Sequence, residues 1–393
     1  MSIIVTDELS LENGADNVDV LRVYHYDDHA TDLEMLNVRG IVKNAQDQVV
    51  CKTFGYTPEV LANDNDNLNT LISPLINQTT RCFLSYEGTL LRIWFYAGRW
   101  FLSTHRKLDA SKSRWGCNIS YGQLFNRALV PIVGTDDTYN KFTAGLDPNK
   151  IYVVMLRSFI ENRKVCAGAA EPTLYCVGSF IRDQNFVFCS SNPETRLPTP
   201  EEVTTISSPE SLIEFVMKSD PQVCQGLVLM NADGTSGKVT NPEYDRLDKL
   251  RGNQANVLHR YVQLRWTSQR NEFANLYPEQ QPKFDEWEKV MTHVVHNILR
   301  KYIERYINRR TAILPPEQYK VMTQLQDMYI HQLRPINQRV TEEHIWQILG
   351  TWPEREVNVL YKEYKNREYH TGNGNHMPDQ LRNGIMNSFQ RSN

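Results

Sequence analysis

The apolar residues of this chain change their spacing near residue 245, and this change limits the folds that the chain can adopt. Residues 20–240 contain short apolar or β-branched runs of strand length, separated by loops rich in Asn, Asp and Pro. Between residues 284 and 306, apolar side chains instead recur three and four positions apart, which is typical of one long amphipathic helix. The sequence therefore predicts a β-rich domain followed by an all-helical one, an α+β protein.

Within the β-rich part, four runs at residues 20–24, 40–43, 49–54 and 151–156 predict strands. The clearest hairpin joins residues 90–96 to residues 99–103 through a turn at Ala97-Gly98, because aromatic and β-branched residues fill both arms. A Ser followed by Pro and Glu predicts a capped helix that begins at Ser208 and ends near Lys218.

Further helices are predicted over residues 317–333, from Thr341 onward and after Pro353. The stretch from residue 370 to the end is rich in Gly and Asn and is predicted to be disordered. The expected organisation is an N-terminal segment (1–19), a β-rich domain (20–248), a helical domain (249–369) and a tail (370–393).

Composition narrows the class of protein. The chain has 393 residues, no apolar run of about 18 residues and an acidic first segment. We therefore expect an intracellular, cytoplasmic protein without a membrane span, a secretory signal or a membrane partner. Seven cysteines without a Cys-x-x-Cys pair favour reduced, packed thiols over a disulfide framework or a zinc site, at positions 51, 82, 117, 166, 176, 189 and 224.

Charge is unevenly distributed along the chain. From Arg246 to the end there are 22 Lys and Arg against 16 Asp and Glu, a net charge of +6, whereas the preceding residues carry −9. A basic carboxyl half is compatible with RNA or another polyanion as a partner, and equally with a solvated surface of mild bias. The charge alone does not distinguish these alternatives.

An ordered series of glycine, aromatic and charged positions runs through the β-rich part. In chain order it consists of Arg39-Gly40, Lys52-Thr-Phe54, Ser85-Tyr-Glu87-Gly88, Ser103-Thr-His-Arg106-Lys107, Gln225-Gly226, Lys238 and Asn241-Pro-Glu-Tyr244. In this order and at these intervals the series resembles the nucleotidyltransferase motifs of phage-type ATP-dependent RNA ligases. The resemblance covers about residues 35–255 and extends loosely to the helical part, since some of these ligases end in an all-helical domain.

The resemblance implies a fold of antiparallel sheets around a cleft and a defined chemistry. In that family a lysine amine attacks the α-phosphate of ATP, cations neutralise the phosphoryl oxygens, and carboxylates hold a divalent metal ion. This chain has Ser85 at the position of that lysine, and Met155 and Gln225 at or beside two carboxylate positions. Glu87 replaces the usual Asp, and Gly88 is retained.

The basic positions of the series persist. The resemblance implies an anion-attracting cleft lined by cations, with Glu87 as the remaining acid. The predicted nucleotide-binding residues are Arg39, Lys52, Glu87, Gly88, Arg106, Lys107, Gln225 and Lys238. No metal ligands are predicted.

Three functions stay open. The first is a non-catalytic RNA-ligase-like homologue that binds nucleotide or RNA or serves as a structural component. The second is an active ligase that uses ATP and Mg²⁺ with an off-motif lysine, such as Lys52 of the Lys-x-x-Gly at residues 52–55, Lys107 or Lys238. The third is a scaffold or virion protein that assembles with itself or a protein partner. Large DNA viruses encode divergent ligase-like proteins, so an association with a virus is also expected.

Two further groups have both a structural and a functional interpretation. His293 and His296 lie three positions apart on the long predicted helix, but without a companion acid or Cys the sequence favours structural histidines over a metal site. Arg106, Lys107, Lys112 and Arg114 around Trp115 are compatible with a nucleic-acid contact strip or with ordinary sheet packing.

Overall fold

The computed structural model of this protein describes residues 3–12, 18–30, 32–116, 118–158, 163–167, 170–206 and 208–370. Contacts within the chain divide it into two compact units, Met1–Ala255 and Asn256–Asn393. The domain boundary predicted from the sequence was residue 248, and residues 3–12 of the predicted N-terminal segment form a strand. The predicted tail lies outside the described residues from residue 371 onward.

The described strands all belong to the first unit. In chain order they are β1 (Ile3–Glu12), β2 (Val18–Tyr26), β3 (Arg39–Lys43), β4 (Val49–Cys51), β5 (Glu59–Leu61), β6 (Arg81–Leu84), β7 (Thr89–Tyr96), β8 (Arg99–Ser103), β9 (Lys150–Arg157), β10 (Thr173–Ile181), β11 (Val187–Cys189), β12 (Gly226–Met230) and β13 (Ser236–Thr240). They form three sheets with the orders β1-β2-β3-β4, β11-β10-β9-β7-β8 and β5-β13-β12-β6. All neighbouring strands in these sheets are antiparallel except β13 and β5, which are parallel.

The described helices lie in both units. They are α1 (Leu33–Leu36), α2 (Asn65–Asn67), α3 (Tyr121–Val133), α4 (Thr138–Thr143), α5 (Pro209–Lys218), α6 (Pro242–Arg251), α7 (Val257–Leu264), α8 (Arg270–Leu276), α9 (Gln281–Tyr302), α10 (Pro316–Met328), α11 (Glu342–Gly350) and α12 (Glu354–His370). Single π turns occur at Leu68–Ile72, Ile303–Ile307 and Tyr329–Leu333, and 3-10 turns at Ser73–Leu75, Pro193–Thr195, Pro278–Gln280 and Arg334–Ile336.

This architecture confirms the predicted α+β class, with mostly antiparallel sheets followed by a helical unit. The predicted hairpin is β7–β8, in which Tyr96 pairs with Arg99 across a turn where Ala97 and Gly98 both have positive φ. The predicted helix after Ser208 is α5, whose Ser208 side chain caps the backbone of Ser211. The long apolar stripe forms α9, which ends at Tyr302, a turn earlier than the predicted helix, because a π turn follows.

The five-stranded sheet is central to the first unit because it is buried on both faces. One face packs against α3 and α4 and contributes Leu91, Ile93 and Tyr152 to that core. The other face packs against the first sheet, where Trp94 stacks on Phe101 with ring centroids 4.4 Å apart. The third sheet has its own core with α5 and the π turn at Leu68–Ile72, so it is a separate layer beside the central sheet.

The helical unit is organised around α9. Its buried residues follow the predicted stripe, namely Phe284, Trp287, Val290, Met291, Val294, Val295, Ile298 and Tyr302. Tyr261 of α7 stacks on Phe284 with ring centroids 4.3 Å apart. Among the described helices, none is both long and apolar enough to cross a bilayer.

Candidate functional site

The loop Ser85–Gly88 connects two different sheets, and this connection locates the candidate site. β6, before the loop, is an edge strand of the third sheet, whereas β7, after it, lies inside the central sheet. Gly88 sits so close to β9 that a Cβ atom added there would lie 2.6 Å from Met155 Cγ and 2.8 Å from the Leu156 carbonyl oxygen. A glycine is therefore required where the chain passes between the two sheets.

A cavity of about 390 Å³ opens beside this loop. Four of the residues that the sequence predicted as nucleotide-binding line it, namely Glu87, Gly88, Gln225 and Lys238. The other lining residues are Glu59, Thr89, Trp115, Tyr121, Lys164, Tyr244 and Asp248. Residues from β5, β7, β13, α3 and α6, and the residue that precedes β12, thus meet at one point of the fold.

Glu87 is a buried carboxylate with three donors. Its Oε1 accepts hydrogen bonds from the Val165 backbone N–H at 2.7 Å and the Tyr244 hydroxyl at 2.8 Å, and its Oε2 accepts one from the Lys164 N–H at 2.9 Å. We call residues 163–167 the strap, because these contacts hold the segment beside the cavity. Burial and the neighbouring Glu87 carboxylate raise the pKa of Tyr244, so its hydroxyl stays a donor.

Two ion pairs occupy the cavity wall. Lys238 Nζ lies 2.6 Å from Glu59 Oε1, and Lys164 Nζ lies 3.1 Å from Asp248 Oδ1. The side chain of Lys238 is 16% exposed and that of its partner Glu59 is 54% exposed, whereas those of Lys164 and Asp248 are both 33% exposed. The cavity wall therefore combines two ammonium groups with the carboxylates that orient them.

Ser85 and Gln225 are neighbours across the third sheet. The Ser85 N–H donates to the Gly226 carbonyl at 2.9 Å, and the Gln225 N–H donates to the Ser85 carbonyl at 2.7 Å. The Ser85 hydroxyl is 3.5 Å from Gln225 Oε1, and the residue is 5% exposed. Ser85 and Gln225 thus form one partly buried, uncharged contact.

Aromatic rings form another part of the wall. Trp115 and Tyr121 line the cavity, and the buried guanidinium of Arg251 lies 5.4 Å from the centre of the Trp115 ring. The contact strip predicted around Trp115 is therefore divided, since Trp115 faces the cavity whereas Lys112 and Arg114 are exposed and do not line it.

The remaining predicted cations lie elsewhere. Arg39 donates to the Gly55 carbonyl at 3.4 Å, Arg106 pairs with Asp28, Lys107 lies 3.3 Å from Asp7, and Lys52 is exposed. None of these side chains lines the cavity. The motif series thus contributes its acid, its glycine, its glutamine and one of its cations to the cavity.

Sequence reasoning missed Glu59, Tyr121, Lys164 and Asp248. Asp248 follows Tyr244 by one turn of α6, so the helix that opens at Asn241-Pro242 carried a signal for it. Lys164 has no motif of its own, and only the fold reveals it.

The described residues contain no group of three His, Cys, Asp or Glu side chains that could hold a metal ion. The cavity carboxylates are each engaged, because Glu87 accepts three hydrogen bonds and Glu59 and Asp248 each pair with a lysine. With each carboxylate engaged by protein donors, the described residues do not form a preorganised Mg²⁺ site. His296 contacts Glu342 at 2.9 Å. The cysteines among the described residues are free, and Cys117 lies outside those residues.

Comparisons with known proteins give distant similarities, and no protein-family profile matches the chain. The immediate-early protein ICP-46 homologue of Invertebrate iridescent virus 3 is 26% identical over 335 residues, which cover 83% of this chain and 72% of that protein. The ICP-46 homologue of Invertebrate iridescent virus 6 is 25% identical over 349 residues, which cover 83% of this chain and 76% of that protein.

Solved structures of ligases are similar at low identity. A Naegleria gruberi RNA ligase variant solved with ATP and Mn has a TM-score of 0.36 and 11% identity, over 51% of this chain and 58% of that one. An archaeal ATP-dependent RNA ligase has a TM-score of 0.37 and 11% identity, over 68% of this chain and 66% of that one.

Proposed function

We propose that this chain is a nucleotidyltransferase-type protein of the RNA ligase class, encoded by a virus like its ICP-46 relatives, whose cavity binds a nucleotide without forming a lysyl–AMP intermediate. The observation that carries the proposal is the meeting of Glu87, Gln225 and Lys238 in one cavity, while the residue at the nucleophile position is Ser85. The order of the motifs, which resembles that of the ligases, supports the class.

The shape and chemistry of the cavity support a nucleotide as the ligand. Its volume of about 390 Å³ falls in the range of small-molecule sites, which is roughly 300–1,000 Å³. Trp115 and Tyr121 offer ring faces on which a base can stack. Lys164 and Lys238 offer ammonium groups for the phosphates.

The covalent step lacks its reactant at the motif position. A phosphoramide requires an amine nitrogen, and the Ser85 hydroxyl has a neutral amide rather than a base beside it. The Nζ atoms of the two lysines that line the cavity are both engaged by carboxylates, Lys164 by Asp248 and Lys238 by Glu59, rather than held ready for attack on a phosphate. We therefore expect binding without group transfer.

Intact-mass measurement after incubation with ATP and either Mg²⁺ or Mn²⁺, together with equilibrium binding of a fluorescent ATP analogue, tests the proposal. We expect saturable binding and no mass increase of one AMP. Lys238→Ala should weaken binding by roughly 10- to 150-fold, because a charged hydrogen bond to phosphate contributes about 1.5–3 kcal/mol. The matched control is Lys249→Ala, which removes an exposed lysine paired with Asp245 and should leave the affinity unchanged.

A second candidate is an active ligase that uses an off-motif lysine, because Lys164 and Lys238 bring two amines to the cavity. An AMP adduct mapped to either residue, with sealing of a nicked RNA, would establish this candidate and overturn the non-catalytic proposal. Absence of both adduct and nucleotide binding would overturn nucleotide binding and favour the scaffold role. RNA binding and self-assembly stay predictions, to be read from mobility shifts and gel filtration on the same preparation.

A further inference from the structure

A second group of basic residues lies in the first unit apart from the cavity. It consists of Arg39 on β3, His25 on β2, and His105 and Arg106 in the turn after β8, and we call it the arginine–histidine cluster. None of these residues lines the cavity. The pairing of β2 with β3 shifts register between Tyr24 and His25, so the cluster forms where the first sheet is irregular.

The fold holds the cluster together through Arg92 and Gly40. The buried Arg92 guanidinium donates to the Gly40 carbonyl on β3 and to the Thr104 carbonyl in the turn after β8. Gly40 has φ of +68°, and a Cβ atom added there would lie 2.7 Å from His105. The strand that carries Arg39 and the turn that carries Arg106 are thus fixed against each other.

His25 has a ring nitrogen without a hydrogen-bond partner in the part of the chain that the structure describes. The residue is 1% exposed, and its Nδ1 lies 2.8 Å from the Tyr26 carbonyl oxygen. Because a carbonyl only accepts, Nδ1 carries the proton, and the neutral ring leaves Nε2 as an unprotonated, buried acceptor without a partner. A buried acceptor without a partner is unusual, and uptake of a proton would convert this Nε2 into a donor.

The charges around the two histidines are mainly positive. Burial lowers the pKa of His25, and so do the charges of Arg106 and Arg39, whereas the hydrogen bond to the Tyr26 carbonyl and, to a smaller extent, Asp28 raise it. Burial, followed by Arg39, His25, Arg92 and Arg106, lowers the pKa of His105 to about 3. The two rings are 5.2 Å apart, and Asp28, the acid that pairs with Arg106, has a side chain that is 71% exposed. The cluster therefore has more cationic groups than acids to balance them.

We propose that the arginine–histidine cluster binds a divalent oxoanion of the phosphate type, which contacts Arg39 and Arg106 and is accompanied by uptake of a proton by the His25–His105 pair. The anion replaces Asp28 as the partner of Arg106, and a protonated imidazole supplies the additional donor. The groups that face the pair are Tyr26, Asp28, Arg39, Arg92 and Arg106. This site is independent of the nucleotide proposed for the cavity.

Sulfate is the appropriate probe, because its charge is constant between pH 5.5 and 8. Titration calorimetry on the full chain at constant ionic strength should show one saturable site. The bound anion raises the pKa of the histidine pair, so affinity should be greatest at low pH. It should fall by up to about tenfold per pH unit as pH rises through the pKa of the bound state.

Single-residue variants distinguish sulfate binding at the arginine–histidine cluster from non-specific electrostatic attraction of sulfate to surface cations. Arg39→Gln and Arg106→Gln should each weaken sulfate binding by at least about tenfold. The control is Lys43→Gln, which removes a cation of the same strand β3 that pairs with Asp47. This variant should change the affinity for sulfate less than twofold. Lys238→Ala should leave sulfate binding at the cluster unchanged while it weakens nucleotide binding in the cavity, so the two proposals fail separately. Circular dichroism spectra confirm that each variant is folded.

Three results would overturn the proposal: no saturable sulfate binding, binding that survives both arginine substitutions, or binding that does not depend on pH. A competition arm identifies the natural source of the phosphate group. Displacement of sulfate by single-stranded RNA with hydroxyl ends assigns the site to backbone phosphates. Displacement by inorganic phosphate without displacement by RNA assigns it to a free phosphate.

Discussion

Removal of the Glu87 side chain tests whether this residue holds the strap or serves a ligand. In Glu87→Ala, the N–H groups of Lys164 and Val165 and the Tyr244 hydroxyl lose their acceptor. Val165 is fully buried and Tyr244 is 6% exposed, so at least two of these donors are left without water as a substitute. Each unsatisfied buried donor costs about 1–3 kcal/mol, and we expect a total of about 3 kcal/mol.

Glu87→Gln provides an intermediate case. One amide oxygen can still accept from Val165 and Tyr244, whereas the amide NH₂ faces the Lys164 N–H as a second donor. We expect a cost of about 1–2 kcal/mol, because one hydrogen bond is lost and one repulsive contact is formed. The exposed control Glu243→Ala, which breaks only a surface pair with Arg246, should cost less than about 1 kcal/mol.

Hydrogen–deuterium exchange measured by mass spectrometry reports the strap directly. A loss of about 3 kcal/mol corresponds to roughly 150-fold faster exchange of the strap amides if they exchange through local opening. Nucleotide affinity should fall in the same variant, because Lys164 belongs to the strap and lines the cavity. Unchanged strap exchange in Glu87→Ala, together with lost nucleotide binding, would show that Glu87 contacts the ligand, and the positioning role would be refuted.

Three further predictions concern close packing, stacking and protonation. Gly88→Ala should destabilise the first unit by about 1–3 kcal/mol in urea unfolding, because the added Cβ would lie 2.6–2.8 Å from atoms of β9. An unchanged midpoint of the urea transition would contradict this close approach of Gly88 to β9. Trp115→Ala should weaken binding of an ATP analogue by roughly 5- to 150-fold, since stacking of a base on an aromatic ring contributes about 1–3 kcal/mol. An unchanged Kd would show that the base does not stack on Trp115. The lowered pKa of His25 and of His105 means that the folded state resists their protonation, so this contribution to stability is complete above about pH 6.5. It should be lost as pH falls toward 3, with a slope of at most about 1.4 kcal/mol per pH unit per histidine, and His105→Gln should flatten the measured dependence of the unfolding free energy on pH.

The fold was predictable from the sequence where local pattern and tertiary burial agree. The hairpin β7–β8 has a turn dipeptide between two apolar arms, and α9 carries its apolar stripe at helical spacing, so both segments appear as predicted. The end of α9 differed because Ile303 is 39% exposed and the chain continues there as a π turn. Apolar spacing alone does not distinguish an α-helical turn from a π turn.

The site was predictable in part, for a different reason. Gln225 directly precedes β12 and Lys238 lies in the middle of β13, so the pairing of these two strands determines where both residues lie. Arg39 and Arg106 are long side chains beside other partners, and motif order does not determine which side of the sheet they reach. The acids that pair with Lys164 and Lys238 depend on contacts between distant segments, and no local pattern reports them.

The contact between Ser85 and Gln225 leads to an electrostatic prediction. A lysine at 85 and a glutamate at 225 would face each other across the third sheet, where Ser85 and Gln225 are now in contact at 3.5 Å and Ser85 is 5% exposed. Either charge alone at this place is buried without its partner, at a cost of about 3–5 kcal/mol, whereas both together form a pair. We therefore expect Ser85→Lys and Gln225→Glu each to destabilise the first unit and the double variant to recover much of the loss. The measurement is a double-mutant cycle in urea, with a coupling energy of at least about 1 kcal/mol. Additive losses would show that the two side chains do not form one site, and the assignment of Ser85 to the nucleophile position would then fail with it.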